Sequence, residues 1–241
     1  MLLVHGIGEH SGRYEHVGAA FAATGIDVLA HDQRGFGHTE GIRAFVEHFD
    51  EFLHDVEVLI DERRSLDVPV ILMGHSLGGL VSTAYLVSDH PQPDLAVLSA
   101  PALNAEAPAW QRKAAPILGK ATPKLYIKSA FDGSVLSRDV AVQEAYESDP
   151  LRVDGSTAAL GRAILAAMDE TGARLDRLRV PTYVLHGDAD TLVPPSASEP
   201  LAALPGVTRR VWPDLRHEAM NEPEHPEVLA EIIAWLDEQL S

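Results

Sequence analysis

Ser76 lies in Gly74-His75-Ser76-Leu77-Gly78, a serine flanked by glycines two positions to either side. Upstream, Val70-Ile71-Leu72-Met73 follows Pro69 as a short apolar run, the pattern of a buried parallel strand. Downstream, Leu77 to Val87 reads as a helix. A chain that turns so sharply from strand to helix has no room for side chains at the flanking positions. It also pushes the serine Oγ out above the sheet. That is where a nucleophile belongs. A serine that merely caps the helix would leave the glycines unexplained.

A serine hydroxyl is a weak nucleophile near neutral pH and needs a base, which in turn needs an orienting acid. A G-x-S-x-G turn between strand and helix is the nucleophile elbow of the α/β-hydrolase fold, in which the partners follow in the order serine, acid, histidine. Val180-Pro181-Thr182-Tyr183-Val184-Leu185 is a second buried-strand run, leading into His186-Gly187-Asp188-Ala189-Asp190. The alternating stretch Val207 to Trp212 is the next strand, and Pro213-Asp214-Leu215-Arg216-His217-Glu218 follows it. Sites in open α/β sheets lie beyond the carboxyl ends of the strands, so these candidates share a rim with Ser76.

Among twelve histidines, His217 closely follows the last strand and precedes the last helix, which makes it the candidate base. His5, His75 and His186 also stand at strand ends, but each adjoins a glycine in a turn and reads as structural. For the acid, Asp190 is preferred to Asp188, which an Asx-type turn after Gly187 could consume. Asp214, after Pro213, is a third candidate. The developing oxyanion needs two backbone donors, one from the residue after the nucleophile and one from the loop after the first strand. These are the N–H groups of Leu77 and of Ile7 in His5-Gly6-Ile7-Gly8.

The chain resembles the monoacylglycerol lipase family, a branch of the α/β-hydrolases grouped with lysophospholipases and serine aminopeptidases. His5-Gly6-Ile7-Gly8-Glu9-His10-Ser11-Gly12-Arg13-Tyr14 is similar to the family's opening loop. Asp32-Gln33-Arg34-Gly35-Phe36-Gly37-His38-Thr39-Glu40-Gly41 resembles its Asp-x-Arg-Gly segment, with Thr39 in place of the usual serine. Leu136-Ser137-Arg138-Asp139, Ala145-Tyr146 and Asp149-Pro150-Leu151 are similar to its cap, and His217-Glu218 with Asn221-Glu222 to its histidine segment. The resemblance implies Ser76, Asp190 and His217 as the triad, with Ile7 and Leu77 as oxyanion donors. It further implies that Glu9 and Arg13 seat the glycerol head group or hold their loop; a purely structural ion pair is the alternative.

Six predicted strands (near 2–5, 26–30, 70–73, 95–99, 180–186 and 207–212) alternate with helices, which argues for a mostly parallel sheet covered on both faces. At 241 residues this is one α/β-hydrolase domain rather than two. Apolar residues at 45, 49, 52, 53, 56, 59 and 60 mark an amphipathic helix over Phe45 to Arg64. A last helix begins at Pro226 and buries Val228, Leu229, Ile232, Ile233 and Leu236. From Ala102 to about Gly172 the alternation breaks, as expected of a cap inserted over the strand ends. Its Trp110, Ile117, Leu118, Leu125, Tyr126, Ile127 and Phe131 either line an acyl tunnel or form the cap's own core.

A formal charge of −17 argues against a nucleic-acid partner. The absence of cysteine excludes disulfides and thiolate chemistry. No zincin spacing or phosphate-binding glycine loop occurs, so no metal or cofactor is expected. No signal peptide or membrane span is visible, which makes a cytoplasmic protein the default. All four lysines (113, 120, 124, 128) fall with Arg112 in one acid-free stretch of the cap. This basic, apolar patch suits peripheral contact with an anionic lipid surface; a merely solvated helix face is the alternative. Related folds begin with a hairpin that would pair beside Ile26 to Ala30. Here Met1 adjoins the first strand, so the expectation is a shortened sheet, less stable or pairing edge to edge with another copy.

Taken together, these features lead to the expectation of a serine hydrolase acting on monoacylglycerol, with lysophospholipase or general carboxylesterase activity as alternatives. A non-catalytic binding module is the alternative of a different class.

Overall fold

The computed structural model describes residues 1–104, 109–128 and 131–241, with side chains omitted for 109–112. Six strands form one parallel sheet: β1 (Leu2–Val4), β2 (Leu29–His31), β3 (Ile71–His75), β4 (Leu95–Ser99), β7 (Thr182–Gly187) and β8 (Val207–Trp212). Their order is β2-β1-β3-β4-β7-β8, and every pairing is parallel. β5 (Tyr126–Lys128) and β6 (Gly155–Thr157) make a separate antiparallel pair in the segment between β4 and β7. The chain has the α/β-hydrolase fold.

Strand periodicity divides the core in two. Leu2, Val4, Leu72, Leu98 and Val184 face α2 (Asp50–Arg64), α3 (Leu77–Leu86) and α6 (Ala158–Gly172). Leu3, Ile71, Met73, Val97 and Leu185 face α1 (Glu15–Ala22) and α7 (His225–Leu240). Both faces are apolar because both are covered, which is why the strands read as continuous runs. Every residue of α3 is buried, so the helix behind Ser76 is held from all sides.

Two boundaries moved. The amphipathic helix starts at Asp50 rather than Phe45. Glu51 turns its carboxylate back to accept the N–H groups of Glu47 and His48, and Asp50 and Glu51 suit the positive end of the helix. The second strand begins at Leu29, whose N–H donates to the Met1 carbonyl, so Ile26 and Val28 pack beside the sheet without joining it. In α7, Trp235 is buried with Val228, Leu229, Ile232 and Leu236, while Ile233 is only partly covered.

Most of the residues expected to line a tunnel or form a cap core do neither. Ile117, Leu118, Leu125, Tyr126 and Ile127 are exposed, Ile117 at 69%. They stand on α4 (Ala109–Ala121), on β5 and, for Leu125, just before β5, on an outer surface. The side chains of Trp110 and Arg112 lie outside the described residues. Lys113, Lys120 and Lys124 are exposed on the same segment, but Lys128 is paired with Asp154 at 2.9 Å. No described helix is long and apolar enough to cross a membrane.

Candidate active site

Ser76 sits between β3 and α3 at φ 53°, ψ −114°. For a non-glycine residue this backbone costs ~1–3 kcal/mol and persists only where its surroundings dictate it. They do here. A Cβ on Gly74 would come within 2.3 Å of the Gly78 carbonyl oxygen and Ser82 Oγ; one on Gly78 would lie 2.1 Å from the Val4 carbonyl oxygen. The Ser76 N–H donates to Ser99 O at 3.0 Å, and Ser76 O accepts from Leu80 and Ala102. The turn is thus clamped between three strands and the start of a buried helix.

His217 follows β8 and is buried. Its Nδ1–H donates to Asp190 Oδ2 at 2.7 Å. Its Nε2 is buried without a hydrogen-bond partner, and the residue shares a cavity with Ser76. Burial alone would make the His217 ring less basic, but the Asp190 charge and hydrogen bond, with Glu218 and Glu9 nearby, raise its pKa above the ordinary value. The His75 ring lies 4.8 Å from that of His217. Burial and then the His217 charge push His75 down to about 3, so it stays a neutral wall.

Asp190 carries the Asx-type turn that the sequence suggested for Asp188. Its Oδ1 accepts the N–H groups of Leu192 and Val193, both at 2.9 Å, which leaves Oδ2 for His217. Burial would raise this carboxyl, but His217, the bonds from His186 and His217, and the Val193 N–H together hold it far below the usual range. Asp188 is exposed and accepts the Asp214 N–H at 2.6 Å, on the outside of the loop. Neither Asp188 nor Asp214 joins the cavity.

The loop after β1 is fixed from within. His5 Nδ1–H donates to Gly6 O at 2.7 Å and its Nε2 accepts the Gln33 N–H at 3.0 Å. Glu9 Oε1 accepts the Gly6 N–H at 2.5 Å and the Tyr14 hydroxyl at 2.7 Å. Ile7 and Ser76 line the same cavity. Leu77 is the first residue of α3, where an N–H has no intrahelical acceptor.

Glu9 and Arg13 form an ion pair at 2.7 Å that extends to a third residue. Arg13 grips both oxygens of Glu218 at 2.6 and 2.8 Å, a bidentate fork to the neighbour of His217. The sequence did not single out Glu218, although its adjacency to His217 was a signal. Glu222 is also buried: it accepts the N–H groups of Arg216 and Arg138, tying the histidine loop to the segment before α5 (Val140–Ser148).

The cavity is lined by Ser76, His217, Ile7, Phe131, Leu136, Tyr146 and Leu192, among others, and at about 10 Å³ holds roughly one water. Of the expected tunnel residues described here, Phe131 is among them. A larger groove of about 600 Å³ runs between α2, α3 and α6, with mixed charges and none of the candidate residues. No metal-ligating cluster occurs among the described residues.

Parallel sheet, elbow and loop placement define an α/β-hydrolase. Residues 1–224 match the family described as serine aminopeptidase, S33, and the chain belongs to that family. It is 35% identical over 245 residues to the monoacylglycerol lipase of Mycolicibacterium smegmatis, spanning 98% of this chain and 87% of that protein. It is 28% identical over 251 residues to phospholipase YtpA of Bacillus subtilis, spanning 100% of this chain and 95% of that one. The crystal structure of Paleococcus ferrophilus monoacylglycerol lipase matches with a TM-score of 0.92 at 30% identity, covering 99% and 93% of the two chains.

Proposed function

We propose that this chain is a serine esterase that cleaves monoacylglycerol to free fatty acid and glycerol through an acyl-enzyme. The observation that carries this reading is the state of His217. Its Nδ1–H is committed to Asp190, while its Nε2 is an unpartnered base in the cavity that contains Ser76. Ser76 gives its proton to His217 Nε2 as Oγ bonds to the ester carbonyl carbon. The Ile7 and Leu77 N–H groups hold the oxyanion. Collapse breaks the ester bond, and the alkoxide of glycerol leaves with the proton from His217. Water then repeats the sequence on the acyl-enzyme, with His217 as base, and frees the fatty acid and Ser76.

Glu9 and Arg13 hold the oxyanion loop against the histidine loop, and their cavity faces meet the glycerol hydroxyls. Residues from about 102 to 172 act as a cap on one catalytic domain. A pocket for a lipid-sized ligand takes ~300 Å³ or more, so the cap residues Phe131, Leu136 and Tyr146 withdraw to admit the acyl chain. The exposed Ile117, Leu118, Leu125, Tyr126 and Ile127, beside Lys113, Lys120 and Lys124, dock the cap on an anionic lipid surface. This makes the protein peripheral to membrane.

The relatives named above favour monoacylglycerol first and a phospholipid ester second. A hydrolysis panel of monoacylglycerol, lysophospholipid and a short p-nitrophenyl ester tests the proposal. The expected order puts monoacylglycerol highest in kcat/KM, with all three activities lost in Ser76→Ala. A preference for lysophospholipid would reassign the substrate, and no esterase activity would overturn the reading.

A further inference from the structure

We infer that His186 is a positioning residue for the same reaction: it shares Asp190 Oδ2 with His217, and the proton it offers there is fixed by the Val193 carbonyl, with Ser198 and Arg209 behind the ring. The inference rests on Asp190 being the orienting acid. His186, next to last in β7, is fully buried, with Nε2 3.3 Å from Asp190 Oδ2 and 2.8 Å from the Val193 carbonyl oxygen.

Counting protons determines which ring nitrogen carries the hydrogen. Arg209 Nε–H, on β8, donates to Ser198 Oγ at 3.0 Å, and a guanidinium cannot accept. The Ser198 hydroxyl therefore keeps its own proton for another acceptor. It has two acceptors in reach: the Pro195 carbonyl at 3.2 Å, which also takes Arg209 Nη2–H at 2.7 Å, and His186 Nδ1, nearer at 2.9 Å. The Val193 carbonyl decides between them. It only accepts and lies 2.8 Å from Nε2, so the ring proton is on Nε2 and Nδ1 takes the Ser198 proton. The Nε2–H bonds to Val193 O, and Asp190 Oδ2 lies 3.3 Å from the same nitrogen.

This gives Asp190 a division of labour. Its Oδ1 is held by the N–H groups of Leu192 and Val193, which keep the carboxylate in place with or without His186. Its Oδ2 is divided between two histidines. The His186 N–H draws charge from Oδ2 and so limits how strongly Asp190 stabilises a protonated His217. The other groups facing His217 are Glu218 beside it, Glu9 from the loop after β1, and the neutral ring of His75. Substitution at 186 leaves all three in place. Without His186, Oδ2 acts on His217 alone, and the free base of His217 appears only at higher pH.

The test uses the whole protein with a soluble ester. In His186→Phe the acid limb of the kcat/KM profile should move up by roughly half a unit to one unit, less than a full hydrogen bond to a charged group because the 3.3 Å contact is shared with Val193 O. His186→Gln, which restores an N–H near the Nε2 position, should return most of that shift. Should the buried Phe variant fail to fold, Arg209→Met, on a half-buried side chain, should move the limb the same way by less. Nitrogen-15 spectra of the unaltered protein should show His186 Nδ1 unprotonated. An Nδ1–H tautomer, or a folded His186→Phe whose acid limb coincides with that of the wild type, would overturn the inference. Asp190→Asn run in parallel separates the two failures: full activity there refutes the acid itself. Lost activity with an unmoved His186→Phe profile refutes only the role of His186.

Discussion

Arg13→Met removes the only cation that bridges Glu9 and Glu218 among the described ion pairs. The two carboxylates are 3% and 4% exposed, so the substitution leaves buried negative charge facing buried negative charge. Taking one partner from a buried pair costs about 3–5 kcal/mol, or about 6–20 °C of melting temperature for a chain of this length. The pH dependence gives a second handle. Burial would raise the Glu9 carboxyl, but Arg13 foremost, with the Tyr14 hydroxyl and the Gly6 N–H, holds it below the usual value. A carboxylate held low contributes stability above its unfolded pKa and loses it as pH falls through the folded one. Without Arg13, burial prevails and the same carboxyl rises above its unfolded value, so the variant loses stability as pH rises. The deficit should therefore be larger at pH 8 than at pH 5. Urea denaturation at both values measures it. Adding Glu9→Gln and Glu218→Gln should recover part of the loss, because no buried charge then lacks its partner. A deficit below about 1 kcal/mol that ignores pH would refute the reasoning, since that is the behaviour of an exposed pair.

Three further outcomes follow from the site. Ser76→Ala should lower kcat by several orders of magnitude while keeping the fold, and Ser76→Gly should melt above Ser76→Ala, because glycine accepts φ 53° without strain; equal melting would remove the strain argument. Asp190→Asn should lower kcat by up to ~10⁴-fold, as expected when the imidazole loses its orienting acid, whereas Asp188→Asn should stay near the wild type because it supports only Asp214 N–H; the reverse order would reassign the acid. Neutralising Lys113, Lys120 and Lys124 should weaken binding to anionic vesicles and flatten its salt dependence, with a soluble ester unaffected. Lys128 is left out because Asp154 already holds it, and unchanged vesicle binding would make the patch plain solvated surface.

The sheet was legible because each of its central strands is apolar on both faces, and the elbow was legible because glycines with no room for a Cβ bracket Ser76. The antiparallel pair β5–β6 was not. Tyr126, Ile127 and Lys128 are all exposed, so the strand has no apolar alternation to betray it. Burial around the cavity also escaped the sequence. Apolar character does not say which face another element will cover, so Ile117 and Ile127 point outward while Leu136, Tyr146 and Leu192 line the cavity. The contacts that join distant loops were hidden for a different reason. Arg13 meets Glu218 across 205 positions and Ser137 meets Glu222 across 85, separations that local patterns do not encode. His186 was read as a turn residue, and its place on Asp190 follows from the way the next four residues fold back.

The central claim is that Ser76 carries the acyl group. Treating the protein with a fluorophosphonate, then measuring intact mass and mapping the modified peptide, tests it directly. The account predicts one adduct per chain, on Ser76, formed in step with the loss of monoacylglycerol hydrolysis and absent in Ser76→Ala. An unlabelled protein that still hydrolyses the ester, or an adduct on another residue, would contradict it.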